Sequence, residues 1–298
     1  MDRSTIGWIN GFLGVLIFSG SLPATRIAVA DFDPTFLTAA RAVIAGLIAV
    51  PALLLMGGKR PGRRDILPLL VVSLGVVIGF PLLTALALRH VPAAHTIVFV
   101  GLLPLATAFF GVLRAGERPQ PAFWLFSALG SAAVAGFALA GAGTGFSAAN
   151  LLMLGAILAC GLGYAEGARL SREFGGWQVI SWALVLSLPV MILLGVVTLP
   201  ERLPPLGAVS WAGLAYVSVF SMFVGFVFWY RGLALGGIAG VGQLQLLQPF
   251  MGLLLAGWLL GEHVSPSIFA VTAAVVLCVA GARRFSRPPP ALVSRKAS

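Results

Sequence analysis

Few side chains in this 298-residue sequence are able to do chemistry, and most stand alone among apolar neighbours. Glu166 is the one carboxylate well inside an apolar stretch, two residues after Tyr164 and within a Gly163-x-x-x-Gly167 pattern that lets another helix come close. Desolvation disfavours a charged carboxylate, so Glu166 could take a proton or meet a substrate ammonium; the alternative is a rim residue paired with Arg169 one turn later. His95 and Phe99 are four residues apart and share a helix face, a combination suited to an aromatic or amphipathic solute, against the plainer use of His95 as a capping residue. No thiol or carboxylate accompanies His90, His95 or His263 at ligand spacing, so neither a metal nor a cofactor is expected.

Amides are the next candidates. Gln245 and Gln248, near Gln243, share a helical face about 60° wide at roughly 100° per residue. An amide pair cannot face lipid unsatisfied, so that face points at a cavity or at another helix. Pro249 follows and removes a backbone hydrogen bond, which would free a carbonyl, as Pro104 would earlier in the chain. Ser19-Gly20-Ser21 with Pro23 forms a small polar surface at a kink. Arg41 lies inside the second apolar stretch, where it snorkels outward, pairs with Asp31 or Asp33, or meets a substrate carboxylate. Phe18, Phe80, Phe99 and Phe220 are candidates for the walls of a cavity, and Trp229 and Tyr230 for an interfacial aromatic belt.

The elements that position these residues must be membrane helices. Only 9% of the chain is charged, where soluble domains average about 25%; 59% is hydrophobic and the mean hydropathy is +1.02. An ordinary soluble fold is excluded. Runs of about 20 apolar residues bounded by charge, Pro or Gly number ten, at 7–28, 34–56, 66–88, 93–113, 121–140, 150–170, 177–199, 208–230, 238–260 and 265–282. Pro34 after Asp33, Pro121 after Gln120 and Pro266 after Ser265 open helices, because a proline in the first turn gives up an N–H that has no partner there. The first run lacks a small-residue cleavage site and reads as a retained helix rather than a signal peptide. Cys160 and Cys278 each lie in an apolar run and read as packing residues.

The net charge of +10 is a topology signal rather than a nucleic-acid footprint, since the basic residues are scattered singly. Of 19 Lys and Arg, 15 fall on one side of the predicted spans, which puts both termini in the cytoplasm. The Pro-rich basic segment 285–298 is expected to be a disordered cytoplasmic tail with some attraction to anionic lipid.

The two halves repeat. Pro104, Gly116, Glu117 and Pro121 match Pro249, Gly261, Glu262 and Pro266, all at a spacing of 145 residues. Leu86-Ala87-Leu88 matches Leu233-Ala234-Leu235 at 147, which implies a two-residue length difference between the copies. Five spans per half is an odd number, so the second copy (146–284) enters the membrane in the opposite sense to the first (1–145). Inverted halves of this kind can exchange conformations and carry a site from one side to the other.

A helix with a central proline that ends in Gly-Glu and leads into a second helix occurs in both halves. With ten spans and Arg41 in the second, the chain resembles the EamA branch of the drug/metabolite transporter superfamily, most nearly its YddG-type amino-acid exporters. The resemblance covers about residues 7 to 284. It implies an all-α integral membrane protein with a central cavity between two five-helix halves, and a cytoplasmic-membrane exporter of small metabolites. His263 replaces the family's Arg after Glu262, and Arg41 has Leu184 near its counterpart position. Glu117 and Glu262, at helix ends, are expected to fix helix connections through backbone N–H groups or Arg118.

The expected function is therefore export of small amphipathic metabolites, aromatic and other amino acids first, by alternating access and facilitated diffusion. Proton-coupled multidrug or metabolite efflux is the alternative and would rest on Glu166. An integral-membrane lipid enzyme would need clustered acidic or His residues, and a channel a charged ring or filter-like repeat; the sequence has neither. The expected partners are a small-molecule substrate and the lipid bilayer, with no nucleic acid.

Overall fold

A computed structural model describes residues 2–29, 31–88, 99–139, 148–199, 207–260 and 267–286, and all the regular structure among them is helical. Asp2 opens α1 (Arg3–Ser19) by accepting the Thr5 N–H at 2.8 Å. Gly20 separates α1 from α2 (Ser21–Ala28). Asp33 caps α3 (Pro34–Leu55) through the Thr35 and Phe36 N–H groups, with Pro34 in the first turn as the sequence predicts. Next come α4 (Arg63–Val72), a π-helical segment (Ser73–Gly79) and α5 (Phe80–Leu88), followed by α6 (Leu103–Ala115) and α7 (Pro121–Leu139).

The second half of the chain forms α8 (Ala148–Phe174) and α9 (Gly176–Val197), then α10 (Ala208–Ala215), a second π-helical segment (Tyr216–Val224) and α11 (Gly225–Gly236). After these come α12 (Ile238–Gly242), a 3-10 segment (Gln243–Leu247), α13 (Gln248–Leu260) and α14 (Ser267–Phe285). Among the described residues six helices are long and apolar enough to cross a membrane: Arg3–Thr25, Pro34–Leu55, Arg63–Ala87, Ala148–Phe174, Gly176–Val197 and Ala208–Gly236.

Burial is inverted relative to a soluble protein. Leu54, Leu55, Leu193, Val197 and Leu277 point outward, while Ser187, Glu166, Gln243 and Gln245 lie inside. Hydrocarbon outside accepts the leucines at no cost, and polar groups must find partners within the bundle. Small residues let the helices meet. A Cβ on Gly232 would lie 2.5 Å from the Gly11 nitrogen, and one on Gly75 2.5 Å from the Ala159 carbonyl oxygen, so α11 crosses α1, and the first π segment crosses α8, nearly backbone to backbone. The packing pairs are reciprocal. The first π segment packs against α8 and α9, and the second against α1 and α3; α3 packs on α9, and α7 on α14.

Candidate functional site

The first polar node forms where α1 breaks. At the break the Ile17 carbonyl accepts both the Gly20 N–H, at 3.3 Å, and the Tyr216 hydroxyl, at 2.9 Å. A Cβ on Gly20 would collide with that tyrosine, so glycine is what lets the π segment close on the broken helix. Pro23 is buried in the first turn of α2. The Ser21 hydroxyl donates to Ser221 Oγ at 2.7 Å, and Arg41 Nη2 reaches the same oxygen at 3.4 Å. Arg41 Nε is buried and has no hydrogen-bond partner. Among the described residues no carboxylate pairs with Arg41. The pairing with Asp31 offered by the sequence does not form, because Asp31 accepts the Gly207 N–H at 3.3 Å.

The second node is aromatic. Phe18 from α1, Tyr164 from α8, and Phe226 and Trp229 from α11 form a connected set, with ring centroids 5.0 Å apart for Phe18 and Phe226 and 5.6 Å for Tyr164 and Trp229. The Tyr164 hydroxyl lies beside Cys160 and the Gln245 amide. Gln245, Gln243 and Thr107 are buried with unpartnered side-chain polar atoms, as is the Trp229 indole N–H. Unmatched buried donors and acceptors are costly, and they concentrate where a polar ligand is meant to fit. Trp229 and Tyr230 are wholly buried, which corrects the aromatic-belt reading; they pack on Gly14 and Gly167, where the absence of a side chain makes room for them.

The local winding of Gln243–Leu247 has a simple cause. Pro249 has no N–H to give the Gln245 carbonyl, so the Gln248 N–H takes that acceptor and the helix tightens to 3-10. The carbonyl expected to be freed is thus satisfied. Gln245 is buried while Gln248 is only partly so. Pro104 likewise stands in the first turn of α6, after a turn at Gly101–Leu102, rather than within a continuous helix.

Charge gathers at the end of the bundle where α6 and α8 finish. Glu166 is fully buried between two guanidinium groups, with Arg114 Nε at 2.9 Å and Arg169 Nε at 3.1 Å. It is engaged rather than free, and the pairing with Arg169 weighed from the sequence is present together with one to Arg114. Glu117 follows Gly116, whose φ of 67° ends α6. Its two oxygens accept the Ile238 and Ala239 N–H groups at 2.7 and 2.8 Å, and Arg172 adds a contact at 3.1 Å. The expected partner Arg118 is instead exposed.

Among the other predicted residues, Phe99 is half-buried against the core, as is Phe80, and Phe220 faces outward, stacked on Tyr216 at 5.4 Å. Phe220 therefore leaves the wall of the candidate site, and Phe226, six residues later, takes that place. His95, Glu262, His263 and most of the 285–298 tail lie outside the described residues. Sequence reasoning missed Ser221, Phe226, Arg114 and Arg172. Ser218 and Ser221, three apart in an otherwise apolar run, were the available signal for the first.

Comparison with known proteins agrees with this architecture. The EamA-like transporter family model matches residues 5–139 and again residues 147–283. The chain is 63% identical to the uncharacterized transporter YdeK of Bacillus subtilis (strain 168), over 96% of this chain and 100% of that protein. It is 27% identical to the aromatic amino acid exporter YddG of Ancylobacter novellus, over 95% and 97%. A probable terminal-alkyne amino-acid exporter of Streptantibioticus cattleyicolor shares 24% identity over 85% of each chain. One solved crystal structure shares the fold at a TM-score of 0.77 and 23% identity, over 94% of this chain and 99% of that one. With that match across both halves, the chain belongs to the EamA-like transporter family and is a multi-pass membrane transporter.

Proposed function

We propose that this transporter exports amino acids and similar small amphipathic metabolites across the cytoplasmic membrane by facilitated diffusion. In this reading ten spans form two inverted five-helix halves, residues 1–145 and 146–284, with both termini in the cytoplasm and the solute site between the halves. The observation that carries it is the buried cluster of Phe18, Tyr164, Phe226 and Trp229, with the buried Gln245 amide beside Tyr164. It offers an apolar wall with a few hydrogen-bonding groups, the composition of a site for a small amphipathic solute. Two relatives whose names specify amino-acid export lend support to the substrate class.

The inverted arrangement draws support from the reciprocal packing of the two π segments, each against the first two helices of the other half, and from the family model matching twice. Uncoupled export is favoured because Glu166, the carboxylate on which proton coupling would rest, is held by Arg114 and Arg169. The test is efflux from proteoliposomes preloaded with labelled phenylalanine, leucine, a quaternary-ammonium drug or a nucleoside. The amino acids should leave without a pH gradient. Efflux that requires the gradient, or that is confined to the drug, would overturn the reading.

A further inference from the structure

The Arg41 node is separate from the aromatic cluster and asks for a different part of a solute. A guanidinium half-buried in an apolar bundle normally finds a carboxylate, since leaving a charge unpaired there is costly. Among the described residues Arg41 has instead one long hydrogen bond, to the neutral Ser221 hydroxyl, and its Nε is buried with no partner. The local backbone opens the place, since α1 is interrupted at Gly20 and the segment carrying Ser221 is π-helical, a winding frequent at functional sites. Beside it lies the Ser21–Ser221 hydroxyl pair, and the residue before Arg41, Ala40, packs on an apolar cluster that joins α2, α3 and α10 through Ala24 and Leu214.

The position relative to the aromatic cluster fixes the geometry. Ser21 is three residues beyond Phe18, across the break at Gly20, and Ser221 is five residues before Phe226, which stands just after the end of the second π-helical segment. The polar node is thus displaced from the rings by three residues along one path and five along the other, roughly 5 to 8 Å at about 1.5 Å per residue. An amphipathic solute of amino-acid size spans that distance.

We infer that Arg41, oriented by Ser221 and Ser21, binds the carboxylate of the exported solute while its side chain rests against Phe18, Phe226 and Trp229. Substrates must then be carboxylates, and amines of the same shape are rejected. This inference rests on the reading of the chain as an amino-acid exporter. An exposed guanidinium would add little, whereas one held among apolar helices with a buried Nε presents a planar fork that matches a carboxylate at two points.

The test uses the purified full-length transporter in proteoliposomes, with labelled phenylalanine in counterflow and two unlabelled competitors of similar shape, 3-phenylpropionate and phenethylamine. The wild type should be inhibited by 3-phenylpropionate and not by phenethylamine. Arg41→Gln should raise the KM for phenylalanine about tenfold or more, and Arg41→Lys should recover part of the loss, as expected for a charged hydrogen-bonded pair. Ser221→Ala should give a smaller rise in KM. An unchanged KM in Arg41→Gln, or equal inhibition by the amine, would overturn the inference and leave Arg41 a packing residue, with amino-acid export intact. If Arg41→Gln fails to insert, the wild-type competition decides alone. Should the wild type move no amino acid, the export reading fails. Protection of the wild type against thermal unfolding by 3-phenylpropionate and not by phenethylamine then still supports the Arg41 site, and its absence still overturns it.

Discussion

Glu117 Oε1 stands 2.7 Å from the Ile238 backbone nitrogen, although 121 residues separate the two in the chain. The carboxylate from the end of α6 serves as the side-chain cap of α12, with Oε2 on the Ala239 N–H at 2.8 Å. Gly237, at φ 95°, turns the chain so that those N–H groups face it. One glutamate thereby ties the end of α6 to the start of α12, and Arg172 shares its charge.

Glu117→Ala should therefore destabilise the folded bundle by about 3 kcal/mol, because it orphans a buried guanidinium and two helix-start N–H groups together. Glu117→Gln keeps an acceptor oxygen and should cost roughly half as much. Thermal unfolding in detergent, followed by intrinsic tryptophan fluorescence, measures both. Wild-type melting of Glu117→Ala would show that the cap contributes nothing.

Glu166→Gln tests the uncoupled mechanism. If Glu166 anchors Arg114 and Arg169 rather than carrying a proton, the variant should still release preloaded amino acid, and its rate should keep the wild-type response to an imposed pH gradient. The destabilisation should be modest, because both arginine side chains are partly exposed and the glutamine keeps an acceptor oxygen for them. Proteoliposome efflux at equal and unequal pH distinguishes the cases, and loss of a gradient response present in the wild type would assign coupling to this residue.

Gln245 should show opposite effects on stability and on transport. Its amide atoms are buried without partners, so Gln245→Met, nearly the same shape, should hold or raise the melting temperature while weakening transport. The gain should be on the order of 1 kcal/mol. Gln245→Ala and Gln248→Ala should each weaken solute transport without affecting insertion. Melting curves and counterflow KM on the same preparations provide the comparison; unchanged transport in all three variants would return the glutamines to packing.

Two glycines separate close packing from open surface. A Cβ on Gly75 would press against the Ala159 carbonyl oxygen, so Gly75→Ala should cost about 1 to 3 kcal/mol. Gly136, in α7, has nothing within 4 Å of such a Cβ, and Gly136→Ala should stabilise by about 0.5 to 1 kcal/mol. Unfolding in mixed detergent at graded denaturant would order the two, and equal effects would contradict the backbone-to-backbone crossing of the first π segment with α8.

Much of the fold was legible in composition and pattern. A chain with 9% charge and regular apolar runs can satisfy its backbone in lipid only as helices, and Asp33-Pro34 writes a helix start into two adjacent residues. Local signals of this kind need no partner from elsewhere in the chain. The break at Ser19-Gly20-Ser21 and the close approach through Gly163 and Gly167 were readable for the same reason. Other assignments were decided by distance through space. Trp229 reads as a belt residue until Gly14 and Tyr164 are brought around it, and nothing near Glu166 in sequence announces Arg114, 52 positions earlier. The winding at Gln243–Leu247 was half visible: Pro249 showed that a hydrogen bond would be missing, but only the folded backbone showed the Gln248 N–H taking its place. The sequence by itself determined a helical membrane protein with capped helix starts, because hydrophobicity and capping act over a few residues. The tertiary structure decided which polar atoms are left without partners, Arg41 Nε and the Gln245 amide above all, because satisfaction of a buried group depends on what other helices place beside it.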